Sequence, residues 1–166
     1  MRDLSLPEET PDYKAAKAFG QSILSDPPCN GYSRESFRGI WRQAGTSGLF
    51  DLLIPQGQLD VEKVLSGLEG LGEGCENGGF LLALGAHCFG VGAPLANFGY
   101  KGQRDLLSSL RDGTVVAALA ATEREAGSDV LSLSTRFWPD GNDYVLQGTK
   151  CFITNVQEAD LFLVLA

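Results

Sequence analysis

The spacing of apolar residues changes character once along these 166 residues, at Val115, and that change limits the folds open to the chain. Before it, apolar side chains recur at helical intervals. After it they come in short runs bounded by Gly, Pro, Asn and Asp, which is strand patterning. Roughly 110 residues of helices followed by about 50 of strands cannot make a doubly wound sheet, which needs the two element types to alternate. The expected class is α+β, divided into residues 1–113 and 114–166.

Within the helical part, Thr10–Pro11 reads as an N-cap and first-turn pair for a helix to about Leu24, with Ala15, Ala18, Phe19, Ser22 and Ile23 on one face. Asp26-Pro-Pro-Cys-Asn-Gly31 breaks it. Ser33 caps a second helix with Phe37, Ile40, Trp41 and Ala44 as its stripe and Gly45 as its stop. Leu49 to Ile54, closed by Pro55, is too short to assign by period. Asp60 caps a third helix with the stripe Val61, Val64, Leu65 and Leu68. The run Gly70 to Gly79 contains no G-x-G-x-x-G and follows no strand, so it reads as a connector. Phe80 to Asn97 is apolar nearly all round, as a helix at the centre of a bundle would be, with Pro94 kinking or restarting it. Lys101 to Leu110 reads as one more short helix, stopped by Asp112–Gly113.

The second part opens with Val115 to Ala120 as a buried strand. Leu131 to Trp138 and Tyr144 to Leu146 flank a turn at Pro139–Asp143, and Lys150 to Thr154 and Leu161 to Ala166 complete the expected strands.

Charge and composition exclude several roles. A net charge of −8 with no Lys/Arg run argues against binding nucleic acid through its phosphates. No apolar run approaches the ~20 residues that span a bilayer. The acidic start Met1-Arg-Asp-Leu-Ser-Leu-Pro-Glu-Glu lacks a signal-peptide h-region, so the expected compartment is the cytoplasm. Cys29, Cys75, Cys88 and Cys151 form no C-x-x-C pair and read as thiols. His87 is the only histidine and sits between Ala86 and Cys88 in apolar sequence, so it reads as a satisfied buried side chain. No metal site is expected.

What remains are two polar, Gly-bearing segments beside strands, Ala121-Thr-Glu-Arg-Glu-Ala-Gly-Ser-Asp129 and Gly148-Thr-Lys-Cys-Phe-Ile-Thr-Asn155, separated by the hairpin. Backbone N–H groups and hydroxyls at strand ends are how a β-domain surrounds one bound molecule. These segments, followed by Ala159-Asp160-Leu-Phe-Leu-Val, resemble the middle domain of acyl-CoA dehydrogenases. Phe98–Gly99, Gln103–Arg104 and Gly113 resemble the approach to that domain, and the helices before them resemble the family's N-terminal all-α domain.

The resemblance implies an all-α domain followed by the start of an antiparallel β-barrel-like domain, truncated relative to the family. It implies FAD, and oxidation of an acyl thioester to the 2,3-enoyl thioester: a glutamate removes the α-proton and the β-hydrogen leaves as hydride to flavin N5. By position, Leu119, Ala121 and Thr122 would line the flavin ring, while Gly127 and Ser128 would approach the pyrophosphate and the substrate side. Phe152, where the family commonly has Trp, would pack on the ring with Ile153 beside it, and Thr154 would hydrogen-bond near N5. Taken singly, each of these positions also has an ordinary role as a strand threonine, loop glycine or core aromatic.

Two departures accompany the resemblance. Arg124–Glu125 stands where the family has Pro-Gly or Pro-x, which frees φ at a turn and adds two charges. The family's C-terminal bundle and catalytic glutamate have no counterpart, so no catalytic residue is assigned. The strand at 161–166 is expected to be an open edge, completed by another chain or by further sequence. Implied partners are acyl-CoA or an acyl-carrier protein, the latter suggested by Gly74 to His87, and a homo-oligomer or complementing chain. A flavin monooxygenase or nitroalkane-oxidase-like relative of the same fold is the first alternative. A non-catalytic binding module is the second.

Overall fold

The structure is a computed structural model that describes residues 9–23, 33–54 and 57–166. Most of the acidic leader, Leu24, the break at 26–31 with Cys29, and Pro55 lie outside the described residues.

Helices begin where local chemistry says they should. The Thr10 hydroxyl accepts from the Tyr13 N–H at 3.1 Å to open α1 (Pro11–Ser22), and Ser33 accepts from Ser36 N at 3.1 Å to open α2 (Arg34–Thr46). Asp60 accepts from Lys63 N at 3.2 Å at the head of α4 (Val61–Gly74), and Asn77 does the same for Phe80 N at 3.0 Å to start α5 (Gly78–His87). The ambiguous 49–54 run is a short helix, α3 (Leu49–Leu53), entered through Gly48 in the left-handed region at φ 82°. Gly45 therefore does not stop α2; the chain turns at Gly48.

The buried faces differ from the expected stripes on two helices. In α1, Tyr13, Ala16, Phe19 and Gly20 are buried, whereas Ala15, Ala18 and Ser22 are exposed. In α4, Val61 and Leu65 are 54% and 60% exposed, and the buried face runs through Val64, Gly67, Gly70 and Leu71. Glycine is the cause. A Cβ at Gly70 would collide with the Tyr13 carbonyl, and one at Gly74 with the Lys17 carbonyl, so two backbones meet where side chains would hold them apart. These glycines lie inside α4 and are not the expected connector, which is only residues 75–77.

The helical run Gly78–Phe98 is the axis of the bundle. It is 21 residues long and its most apolar 18-residue window has a mean hydropathy of 1.6, so by length and composition alone an apolar stretch of membrane-spanning size is present, as in the core helix of a folded bundle. Here Phe80, Ala83, Leu84, Cys88 and Val91 are buried in the same cluster as Trp41, Phe50 and Leu71. Leu82 and Phe89 are exposed, so the helix is apolar all round but buried on one side. Between α5 and α6 (Ala93–Phe98) lies a π turn, Cys88–Gly92, in which Ala93 N–H bonds back to the Cys88 carbonyl. Pro94, two residues into α6, has no N–H to continue an α ladder, and the π turn absorbs that loss. The expected helix at 101–110 is two short pieces, α7 (Lys101–Arg104) and α8 (Leu107–Arg111), ending at Gly113 with φ 72°.

The strands form two pairs. β1 (Ala117–Ala120) and β4 (Leu161–Val164) run parallel, with Ala117 opposite Leu161 and Ala120 opposite Val164. β2 (Arg136–Asp140) and β3 (Asp143–Gln147) form an antiparallel hairpin around Gly141–Asn142, with Gly141 at φ 64°. The sheet is thus not purely antiparallel as expected, because residues 121–160 cross over before the chain returns beside β1. β4 is correspondingly not unpartnered. Residues 130–132 are a short 3-10 turn, not strand, and 150–154 is not a strand either. Mixed helix and strand in this order is the architecture the periodicity demands.

His87 joins the two halves. It is fully buried, edge-on to Trp41 at 5.0 Å between centroids. Ala117 N–H donates to Nδ1 at 3.1 Å, so Nδ1 is unprotonated and Nε2–H donates to the Leu110 carbonyl at 3.1 Å. Both ring nitrogens are used in structure, and burial pushes the imidazole's pKa down to about 4.

Two outcomes follow for stability. Gly70→Val should destabilise the chain by about 1–3 kcal/mol through overpacking, whereas Gly72→Ala, with nothing within 4 Å of its Cβ, should stabilise it by roughly 0.5–1 kcal/mol; urea unfolding compares them. His87 is neutral in the fold and protonates near 6.5 when unfolded, so its contribution is complete above that pH and is lost down to about 4. The unfolding free energy should fall by about 3 kcal/mol across that window. The part above the unfolded glutamate value of 4.5 reports on His87 with little carboxylate titration.

Candidate functional site

Strand β1 is short, apolar and buried, and it delivers residues 121–129 to the surface at its C-terminal end. Ala117, Ala118 and Ala120 are buried, and Leu119 packs against the helical core, where a Cβ on Gly90 would meet its own Cβ at 3.1 Å. The far end of the β1–β4 pair is anchored by α2. Arg38 grips Asp160 through two nitrogens, at 2.6 and 2.9 Å, and Asp160 also accepts the Val116 N–H at 2.9 Å. The Arg38 guanidinium beside Asp160 holds that carboxyl below its ordinary range.

Beyond β1 the chain forms a loop built around a buried carboxylate. Glu123 is 6% exposed. One oxygen accepts from the Ser134 N–H at 2.7 Å and its hydroxyl at 2.5 Å; the other accepts from the Thr135 N–H at 2.9 Å, the Thr135 hydroxyl, and Lys150 Nζ at 2.9 Å. The Ser134 hydroxyl first, then the Thr135 hydroxyl, the Ser134 N–H and Lys150, hold this carboxyl far below the usual carboxylate range. Its backbone N–H bonds the Ala126 carbonyl at 2.9 Å, and Ala126 is buried, so the loop is pinned from within. Gly127 and Ser128 stand exposed just past that pin.

The second segment docks on the first. Lys150 donates to the Ala121 carbonyl at 3.0 Å as well as to Glu123, and Cys151 N–H donates to the Thr122 carbonyl at 2.9 Å. Phe152 and Asn155 then take left-handed φ of 56° and 68°, bracketing Ile153 and Thr154. Asn tolerates that conformation; a bulky Phe there stores backbone strain. The Asn155 amide stabilises the arrangement by donating to the Ala83 carbonyl of α5 at 2.9 Å and to the Ala117 carbonyl of β1 at 3.1 Å.

The sequence-predicted residues are thus gathered unevenly. Ala121 and Thr122 lie against the second segment through direct hydrogen bonds, and Ile153 and Thr154 sit half-buried beside the Asn155 tie. Leu119 is half-buried and packs against the helical core. Phe152 is 92% exposed, an aromatic face uncovered at the rim. Among the described residues, no intrachain hydrogen bond engages the hydroxyls of Thr122, Ser128 or Thr154. A planar heteroaromatic with nitrogen and carbonyl acceptors along an edge and faces needing apolar cover fits that set. Sequence reasoning missed Lys150 and Asn155 and gave Glu123 no role. Asn following Thr in a polar segment is a left-handed turn signal that could have identified Asn155, but nothing local marks a Glu–Lys pair 27 residues apart.

Asn155→Ala should lose about 2–3 kcal/mol of stability, from two hydrogen bonds and the left-handed backbone. Asn155→Gly should recover about 1 kcal/mol of that by relieving φ, as thermal unfolding of the two variants would show.

Comparison with known proteins converges on one family. The description "acyl-CoA dehydrogenase, middle domain" matches residues 118–166. The L-prolyl-(peptidyl-carrier protein) dehydrogenase of Pseudomonas fluorescens is 35% identical over 82% of this chain and 38% of its own length. The mitochondrial isovaleryl-CoA dehydrogenase of Pongo abelii is 33% identical over 80% of this chain and 32% of its own. The structure of PigA with FAD and proline superposes with a TM-score of 0.80 at 30% identity, over 98% of this chain and 44% of PigA. The chain spans about two-fifths of the prolyl relative's length. With the helical and strand regions both matched, the chain belongs to the acyl-CoA dehydrogenase family.

Proposed function

We propose that these residues form one wall of the FAD site of an acyl-thioester dehydrogenase. The observation that carries this is the junction of the two loops: Lys150 and Cys151 tie the second segment to Ala121 and Thr122, and among the described residues the Thr122, Ser128 and Thr154 hydroxyls have no hydrogen-bond partner. Leu119 backbone, Ala121 and Thr122 would meet the ring edge, Gly127 and Ser128 the pyrophosphate and substrate side, Phe152 and Ile153 a ring face, and Thr154 the neighbourhood of N5. FAD, once bound, supplies the oxidant for removing the acyl β-hydrogen as hydride while a base takes the α-proton. The residues on this wall bind and orient; none of them is the base. Glu123 is unsuited to that role, because its oxygens are already occupied by Ser134, Thr135 and Lys150.

The substrate class is an acyl thioester oxidised to the 2,3-enoyl thioester. A carrier-protein thioester is favoured over coenzyme A by the prolyl-carrier relative, 35% identical against 33% for the isovaleryl-CoA enzyme. Residues 1–113 would serve as the helical domain and 114–166 as the opening of a β-barrel-like domain, in a cytoplasmic homo-oligomer or an assembly with a complementing chain.

Purified and reconstituted with FAD, the chain should show flavin bands near ~370 and ~450 nm that stay with the protein on gel filtration. A colourless protein after reconstitution overturns the flavin assignment.

A further inference from the structure

We propose that the Glu123–Lys150 pair is a positioning device for the flavin edge, holding the Thr122 peptide in place between the two loops. The inference rests on the flavin site proposed above and goes beyond it, since neither residue is among the groups expected to touch the cofactor.

The geometry is specific. Lys150 Nζ bonds the carbonyl of Ala121 at 3.0 Å on one side of Thr122 and the carboxylate of Glu123 at 2.9 Å on the other. The next residue, Cys151, donates its N–H to the carbonyl of Thr122 itself at 2.9 Å. Three consecutive residues of the first loop are therefore held by two consecutive residues of the second. The Thr122 hydroxyl, without a partner among the described residues, is the group this grip leaves available.

The pair's placement favours positioning over a purely cohesive role. Its side chains are only 5% and 8% exposed, so the charges are shielded from salt and from water that would otherwise compete. Lys150 reaches Glu123 from one direction, and Ser134 and Thr135, immediately before β2, reach it from another. The carboxylate thus fixes the first loop relative to both the second loop and the hairpin. A ligand lying across Thr122 and Thr154 needs both loops at one spacing. Loss of the pair would leave each loop folded but free to shift, and a ligand would then have to order them on binding.

The test is a double-mutant cycle on FAD affinity with the full chain, using Glu123→Gln, Lys150→Met and both together. FAD dissociation is read by quenching of flavin fluorescence, bound flavin by its visible bands, and folding by circular dichroism. Each single variant should weaken FAD about tenfold or more and alter the ~450 nm band shape, with helical content intact and the double variant no worse than the singles. Wild-type affinity and an unchanged band in a folded single variant overturn the positioning role while the flavin site stands. No binding by the wild-type chain overturns the flavin site and the inference together. Should neither single variant fold, Thr135→Val, which removes one donor to Glu123 but leaves the ion pair, is expected to weaken FAD about threefold. Unchanged affinity there overturns the inference.

Discussion

The buried carboxylate of Glu123 is the interaction on which the second half of this chain depends. A charge taken out of water is costly unless its lone pairs are filled. Here the donors come from segments with no other reason to meet: Ser134 and Thr135 ahead of the hairpin, and Lys150 after it. Satisfying one carboxylate therefore closes the hairpin back onto the end of β1. Little apolar burial assists. All five residues of β2 are exposed, and in β3 only Val145 is even half-buried. The hairpin is held at its base by polar contacts, not by a core of its own.

The helical half works by the opposite means. Its centre is apolar, with Trp41 and Phe50 fully buried against the axial helix, and its closest approach is made by removing side chains at Gly70 and Gly74. His87 is where the two regimes join. A buried imidazole with both nitrogens committed, one to α8 and one to the first residue of β1, sets where the strand leaves the bundle. The direction of β1 in turn sets where residues 121–129 emerge. Local packing in the helices thus reaches residues 121–129 through one ring and one strand of four residues.

Much of this was legible where the determining chemistry is local. Thr10, Ser33 and Asp60 begin helices because each side chain accepts an N–H only three residues away, a spacing visible in one dimension. The order of helices before strands was legible for the same reason. The stripe on α4 was misjudged because spacing counts apolar residues, whereas this interface is made by their absence at Gly67 and Gly70. The parallel pairing of β1 with β4 was not legible, since a crossover of some 40 residues leaves no local trace. Residues 150–154 have strand composition, yet the left-handed φ at Phe152 is imposed by neighbours: Lys150 is drawn to Glu123 and Asn155 to the backbones of α5 and β1. Thr122 and Thr154 stood out through the family resemblance. The residues that hold them did not, because holding is a three-dimensional property.

The π turn at 88–92 has its own consequence. One wide turn inserts a residue into the helical count, so the faces of the axial helix before and after it are out of phase by about 100° of rotation. That offset lets one continuous rod serve two neighbourhoods, with Phe80 and Leu84 addressing the aromatic core and Gly90 lying against Leu119 of β1. It also makes this turn the place where the rod's length is negotiable. Dropping a single residue there could restore ordinary α winding without breaking the rod, while re-aiming everything from Ala93 to Phe98. A family that needed to rotate the later part of this helix could do so at this one point and leave Gly78 to His87 where they are.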